Sequence, residues 1–403
     1  MKVGILTYFN VPNFGANLQA LSTYFYFKNQ GYSVALIDWI PADLQEKLSK
    51  DQIKHQEHYN FIETYFSVTE RCNTIDDVRR VIIKERIEVV VVGSDAILQH
   101  HSLISRIVFP SKKIVGIKEV LSDRLYPNPF WGCFKDEMLS SKLIMMSASS
   151  QDSSYKTLGV SLRKKMKSDL LKFEYISVRD TWTKKMVEFI TNSERTPIIT
   201  PDPVFAFNQN IGKIIPSKSD ILEKFGLPDE YILISFRTPK KINVNWLHSL
   251  KENFKENNVA CVAFPMPNGI TFEHPFNKEI SLPLNPLDWY GLIKYSNGYI
   301  GENMHPIIVA LHNHVPFFSF DTYGECNYSL TKCNIESSKI YDLLKNADLL
   351  EYYCNVNGRF FDIPEPSFVF ERVLYYDKRK SKCFSDKMYT EYHQMMTNII
   401  EII

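Results

Sequence analysis

The sequence predicts an α/β protein built of two Rossmann-like domains that face each other across a cleft. Three observations carry that expectation. Short β-branched runs alternate with longer stretches of helical period, the pattern of a parallel sheet covered by helices. The alternation runs twice, interrupted at 201–218 by a segment rich in Pro, Asn, Gly, Ser and Lys. The length, 403 residues, is also too great for one ordinary core and suits two domains of about 150–200 residues each.

In the first series, residues 2–7 (KVGILT) read as the opening strand, followed by a loop and a helix over 15–29. Residues 33–38 (SVALID) are the next strand. Residues 88–92 (EVVVV) are apolar after the first, as a strand covered on both faces must be. Further central strands are expected at 143–147 and 175–178, each followed by a polar, helix-forming segment. The second series begins with a strand at 231–235, a helix at 244–256 and a strand at 259–264. A helix at 286–295, a strand at 298–300, a helix at 305–313 and a strand at 315–319 follow. The expected division is 1–207 for the first domain, 218–384 for the second, and a terminal helix at 385–403 that packs back on the first. Region 96–142 has no regular pattern.

Composition narrows the function classes. The residues are 44% hydrophobic and 23% charged with a net charge of +1, which offers nucleic acid no basic stripe. The seven cysteines include no C-x-x-C pair and no zinc spacing, which argues against a disulfide framework and for a reducing compartment. The opening MKVGILTYFN is a strand pattern and no signal peptide. No run of about 18 apolar residues is present to span a membrane. Aromatics are frequent at 13%, and tyrosines serve both sugar sites and cores.

In a doubly wound sheet, ligands lie at the carboxyl ends of the strands, and short motifs collect at those positions. Asn13-Phe14-Gly15-Ala16-Asn17-Leu18-Gln19-Ala20 opens the first helix, where free backbone amides can hold an anion. Gly93-Ser94-Asp95 follows EVVVV, Ser147-Ala148-Ser149-Ser150 ends the next strand, and Ser177-Val178-Arg179-Asp180 the one after. Asp202-Pro203 closes the first half. In the second half, Gly301-Glu302-Asn303-Met304-His305 precedes an apolar helix and Val315-Pro316-Phe317, and Ser337-Ser338-Lys339-Ile340 precedes another helix. Taken together, these segments resemble, in order and over nearly the whole chain, the polysaccharide pyruvyltransferase family. That resemblance implies a glycosyltransferase-B-like fold, phosphoenolpyruvate as donor and a pyruvate ketal bridging two hydroxyls of one hexose. It implies no metal and no organic cofactor.

The sequence departs from the family pattern at the arginine-x-histidine site, where Asn303 stands for the arginine and Pro306 for a small residue. Ala96 and Leu98 replace polar and aromatic residues after Gly93-Ser94-Asp95. Losing a guanidinium matters because the donor carries a carboxylate and a phosphate, both of which arginine binds bidentately.

Pyruvyl transfer needs a group that gives and takes protons near neutrality, and histidine suits that task. His305, between a strand end and a helix start, is the expected catalytic residue; a helix-start cap is its plainer role. Donor-binding candidates are Arg237, at the end of the strand at 231–235, with Arg179, Lys339 and Asn303. For Arg237 the plainer role is a surface ion pair, for Arg179 a pair with Asp180, and for Lys339 a solvated helix start. Asn13, Gly15, Asn17, Gln19 and Asp95 are expected to line the cleft or meet the acceptor, Asp95 having a helix cap as its alternative. Glu302 has no counterpart in the family, and an acid there either orients His305 or is solvated. His312 and His314 read as structural.

The expected partners are phosphoenolpyruvate and a hexose of a surface or capsular polysaccharide precursor, lipid-linked. That places the protein in the cytoplasm at the inner face of the membrane, with peripheral association. Two other readings fit the same fold. One is a sugar-nucleotide glycosyltransferase. The other is a non-catalytic glycan-binding homologue, in which Asn303 and Ala96 mark a decayed site.

Overall fold

The computed structural model describes residues 1–111, 114–237, 242–326, 333–357 and 362–403. Two six-stranded sheets, parallel throughout, form its two halves. The first has the order Ser33–Leu36, Lys2–Leu6, Val89–Val92, Lys142–Ala148, Tyr175–Val178, Ile198–Ile199. The second has the order Lys278–Glu279, Ala260–Ala263, Tyr231–Ser235, Gly298–Gly301, Phe317–Asp321, Tyr353–Asn355. Central strands are buried on both faces, which is why Val89–Val92 is valine throughout and Tyr231–Ser235 has no exposed position.

Each sheet reverses its winding beside its first strand, and such a switch point leaves a crevice at the carboxyl edge. In the first sheet the crevice opens between the ends of Lys2–Leu6 and Val89–Val92; in the second, between Tyr231–Ser235 and Gly298–Gly301. The two crevices face each other across the cleft, and the segments after Lys2–Leu6, Val89–Val92 and Gly298–Gly301, which carry Asn13–Ala20, Gly93–Asp95 and Gly301–His305, lie at strand ends beside them.

The halves share one apolar core. Phe14, Leu18, Leu21 and Phe61 from the first half join Leu233, Trp289, Ile307 and Val309 from the second. Phe14 lies parallel on Trp289, ring centroids 5.2 Å apart, a pair worth about 0.5–1.5 kcal/mol beyond its burial. The helix Lys378–Ile402 begins earlier than the sequence suggests and lays Tyr392, Met395, Met396 and Ile399 against Val3, Val91 and Ile144 of the first sheet.

The expected linker differs in character. Pro203, Val204, Phe205, Ala206 and Phe207 are buried in short helical turns against the helix Phe14–Asn29. Asp202 caps the first turn through Val204 N with Pro203 following it, and Asn210 Nδ2 donates to Ser22 Oγ and the Tyr392 hydroxyl, so the segment is fastened rather than a loose tether. The irregular region 96–142 contains an antiparallel pair of strands, Ile107–Ser111 with Ile114–Ile117, and a 3₁₀ turn at Ser122–Arg124 that reaches the cleft. Among the described residues no helix is long and apolar enough to cross a membrane.

Candidate active site

A cavity of about 900 Å³ occupies the cleft, walled by both halves. From the first half come Tyr8, Asn13, Gly15, Asp95 and Asp123; from the second, Arg237, Trp289, Asn303, His305, Tyr323 and Lys339.

His305 is the second residue of the helix Met304–His312. Pro306 follows it in the first turn, where a missing N–H costs no helical bond, so that departure is compatible with the helix. The imidazole lies flat against Gly15 at the opposite helix start: a β-carbon on Gly15 would stand 2.0 Å from its Cγ and 2.1 Å from its Nδ1. Glycine at this position lets a helix of one half meet a ring of the other. His305 Nε2 is buried and has no partner among the described residues. Burial lowers its pKa to about 4, against the upward pull of Asp95 and Asp202. The free protein therefore holds a neutral imidazole at pH 7.

Two cations, Arg179 and Lys339, stand within electrostatic reach of this ring. Arg179 is buried; its Nη1 donates to Asp202 Oδ2 at 2.5 Å, and Nη2 lies 3.9 Å from Asp95 Oδ1. Burial works against its charge, and Asp202, Asp95 and Asp180 together outweigh it. Its Nε and Nη2 still lack hydrogen-bond partners among the described residues. The neighbour Asp180 is committed elsewhere: it caps the helix Thr181–Thr191 through Thr183 N at 2.7 Å. Lys339 opens the helix Lys339–Asn346, is 7% exposed, and sets Nζ 5.2 Å from the Tyr323 ring centre. Burial and the charge of Arg179 hold its pKa below the ordinary lysine value. Arg237 is exposed at the cavity edge beside Tyr323.

Asp95 sits in the left-handed region, φ 91°, which carries backbone strain for a residue with a side chain. Thr7 Oγ1 donates to the Ser94 carbonyl at 2.8 Å and Ala96 N donates to Asp95 Oδ1 at 2.7 Å, together fixing the turn. The preceding Gly93, φ 127°, has no room for a β-carbon, which would lie 2.0 Å from the Met146 carbonyl oxygen.

The sequence places some residues correctly in the cleft and others not. Asn13, Gly15, Asp95, Arg237, Asn303, His305 and Lys339 line the cavity. Arg179 lies just beneath it, against Asp95 and Asp202. Asn17 and Gln19 are corrected: neither lines the cavity. Asn17 Nδ2 donates to the Phe9 carbonyl at 2.6 Å and its Oδ1 pairs with His58 Nδ1 at 2.7 Å. Gln19 Nε2 donates to Asp202 Oδ2 at 2.5 Å, which braces the Arg179 counter-ion. Asn303 caps no amide with its side chain; its Nδ2 contacts Met266 Sδ, so the position brings no charge. His312 is structural, accepting from Asn208 N at 3.3 Å. Tyr8, Asp123, Trp289 and Tyr323 were not foreseen. Tyr8 follows the first strand closely enough to have been found by the strand-end rule, but the other three stand in segments without motif.

Glu302 does not orient His305. Its Oε2 accepts from the Arg237 backbone amide at 3.1 Å, and burial lifts its pKa from 4.5 to about 7. A carboxyl whose pKa is raised on folding stabilises fully below its unfolded value, and that stability is lost as pH rises through the folded one. Between pH 5 and pH 8 the wild type is expected to lose about 2.5 kcal/mol that Glu302→Gln keeps. Urea midpoints of both proteins at the two pH values measure this. Parallel pH dependences would remove Glu302 as the cause.

The comparisons with known proteins bear on family and fold. A family model described as polysaccharide pyruvyl transferase matches residues 13–323. No curated protein matches the sequence. Among solved structures, the UDP-GlcNAc 2-epimerase from Neisseria meningitidis bound to UDP-GlcNAc is similar with a TM-score of 0.57 and 9% identity, covering 100% of both chains. Spinosyn forosaminyltransferase is similar with a TM-score of 0.51 and 11% identity, over 100% of this chain and 99% of that one. A glycosyltransferase from Rickettsia africae gives 0.50 and 12%, over 100% and 97%. At such identities the likeness is one of fold, the two-domain glycosyltransferase-B architecture.

Proposed function

Because the chain belongs to the polysaccharide pyruvyl transferase family, we propose that it transfers pyruvate from phosphoenolpyruvate to two hydroxyls of one hexose in a polysaccharide precursor. The observation that carries this reading is the meeting of a neutral His305, its Nε2 unpartnered, with the buried Lys339 and with Arg179, whose Nε and Nη2 also lack partners among the described residues. Buried donors without acceptors ask for an anion, and the donor substrate brings a carboxylate and a phosphate.

In this scheme Arg179 and Lys339 hold the donor's anionic groups, and Arg237 closes over them from the rim. Asn303 supplies no charge, so these cations replace the family arginine. His305 takes the proton of the attacking hydroxyl as oxygen bonds to C2 of the enol. That proton passes to C3, making the methyl group. The second hydroxyl then bonds to C2 as the C2–O bond to phosphate breaks, and its proton leaves with phosphate. Atoms balance without oxidant, metal or cofactor. An acceptor built on a lipid carrier would bring the protein to the cytoplasmic face of a membrane as a peripheral enzyme.

The test incubates the protein with phosphoenolpyruvate and neutral hexosides, free and lipid-linked, and seeks by mass spectrometry a gain of one pyruvate less one water. His305→Ala is expected to cut the rate by about a hundred- to ten-thousandfold. Because the free-enzyme imidazole is neutral down to about pH 4, wild-type kcat/KM should keep its plateau below pH 6, after correction for the donor's own ionisation. Transfer from a sugar nucleotide and none from phosphoenolpyruvate would overturn the reading.

A further inference from the structure

The first-half wall of the cavity carries a carboxylate that the donor chemistry does not use. Asp123 lies on the 3₁₀ turn Ser122–Arg124 and is 3% exposed. Its Oδ2 accepts from the Tyr8 hydroxyl at 2.7 Å, and Arg124 Nε stands 3.8 Å from the same oxygen. Its Oδ1 is buried without a partner among the described residues, although the residue lines the cavity. A buried carboxylate oxygen left bare costs free energy unless something hydrogen-bonds to it.

The turn is fixed from both sides, so Asp123 has a set position. Asp43 Oδ2 accepts from Ser122 N at 2.7 Å and from Ser122 Oγ at 2.8 Å, tying the turn to the helix Ala42–Leu48. Asn128 Nδ2 donates to the Asp123 carbonyl at 3.0 Å, and Tyr8 packs edge-on to Phe130 with ring centres 4.9 Å apart. Tyr8 itself follows the first strand, at the switch point that also presents Asp95. Burial and Asp123 raise the Tyr8 pKa, so its hydroxyl stays protonated and remains the donor of the pair.

We propose that Asp123, held by Tyr8, is an acceptor subsite: its free oxygen takes a hydrogen bond from a hydroxyl of a neutral sugar and presents that sugar to the donor side. A neutral hydroxyl is the fitting ligand, because a sugar carboxylate placed here would confront both Asp123 and Asp95. The inference rests on the transferase reading only for what happens to the sugar afterwards; the binding itself is separate. The orphan oxygen and the cavity wall carry it, and the upward shift of the Asp123 pKa by burial agrees with them.

The test has two arms. In the first, acceptor KM and donor KM are measured for wild type, Asp123→Asn and Asp123→Ala on a neutral hexoside. Asparagine keeps an oxygen for Tyr8 but turns an amide donor toward the cavity. Both variants are expected to raise acceptor KM about ten- to a hundredfold with donor KM within about twofold. In the second arm, saturation-transfer NMR follows binding of the same hexoside without donor. Signal in wild type that is lost in Asp123→Asn, with thermal unfolding unchanged, supports the subsite even if no pyruvylated product ever forms. Equal signal in both proteins, or a donor KM that rises in step with acceptor KM, overturns it.

Discussion

Alanine in place of Gly15 is expected to cut transfer by about a hundredfold or more while the protein stays folded. Gly15 is the second residue of its helix, with ordinary helical backbone, so alanine is locally acceptable there and gains about 1 kcal/mol of helix propensity. What the new β-carbon meets is His305, at 2.0 Å from Cγ, 2.1 Å from Nδ1 and 2.5 Å from Cδ2. These atoms lie at the root of the ring rather than at the tip of a flexible chain, so the whole imidazole must leave its place. Overpacking of this kind costs about 1–3 kcal/mol in stability, part of it offset by the propensity gain. A catalytic group misplaced by about 1 Å costs about a hundredfold in rate. The comparison that decides is a double-mutant cycle with His305→Ala. If Gly15→Ala acts through the ring, the double variant is no slower than His305→Ala alone. Wild-type kcat/KM in Gly15→Ala would sink both the steric argument and the place of His305 in the chemistry.

The sequence revealed the sheets because a strand buried on both faces must be apolar along its length, and Val89–Val92 and Tyr231–Ser235 are. It hid the edges for the converse reason. Lys278–Glu279 is two exposed charged residues paired on one side only, which leaves no hydrophobic signature. Site residues at strand ends were legible, since the strand-end rule sends Asp95, Arg237 and His305 to the cavity and Arg179 to the layer behind Asp95. Within the first motif the same reasoning fails, because a helix turns its residues through 100° each. Asn17 faces away from Gly15 into Phe9 and His58, while Gln19 shares the face of Gly15 one turn deeper and reaches Asp202 instead of the cavity. Asp123 was illegible for another reason. Its place is set by contacts with Tyr8 and Asp43, more than 70 residues away in sequence, and region 96–142 carries no period from which such contacts can be read.

Removing the guanidinium of Arg179 is expected to be among the most destabilising single changes at the cavity, and the reason separates structure from catalysis. Arg179→Ala leaves Asp202 buried, with Gln19 Nε2 and the Val204 amide as its remaining donors among the described residues. Stranding a buried charge of this kind costs about 3–5 kcal/mol. Arg179→Ala/Asp202→Asn removes both charges and is expected to recover much of that loss. It should not recover transfer, because the unpartnered Nε and Nη2 behind Asp95 are absent from both variants. Arg179→Lys completes the argument: it keeps a charge for Asp202 but not the fork, so it should fold and yet raise the phosphoenolpyruvate KM. Urea midpoints and donor KM for the three variants read the two roles independently. A double variant that regains activity along with stability would show that Arg179 serves only to neutralise Asp202, and the donor would then have to be held by Lys339 and Arg237 alone.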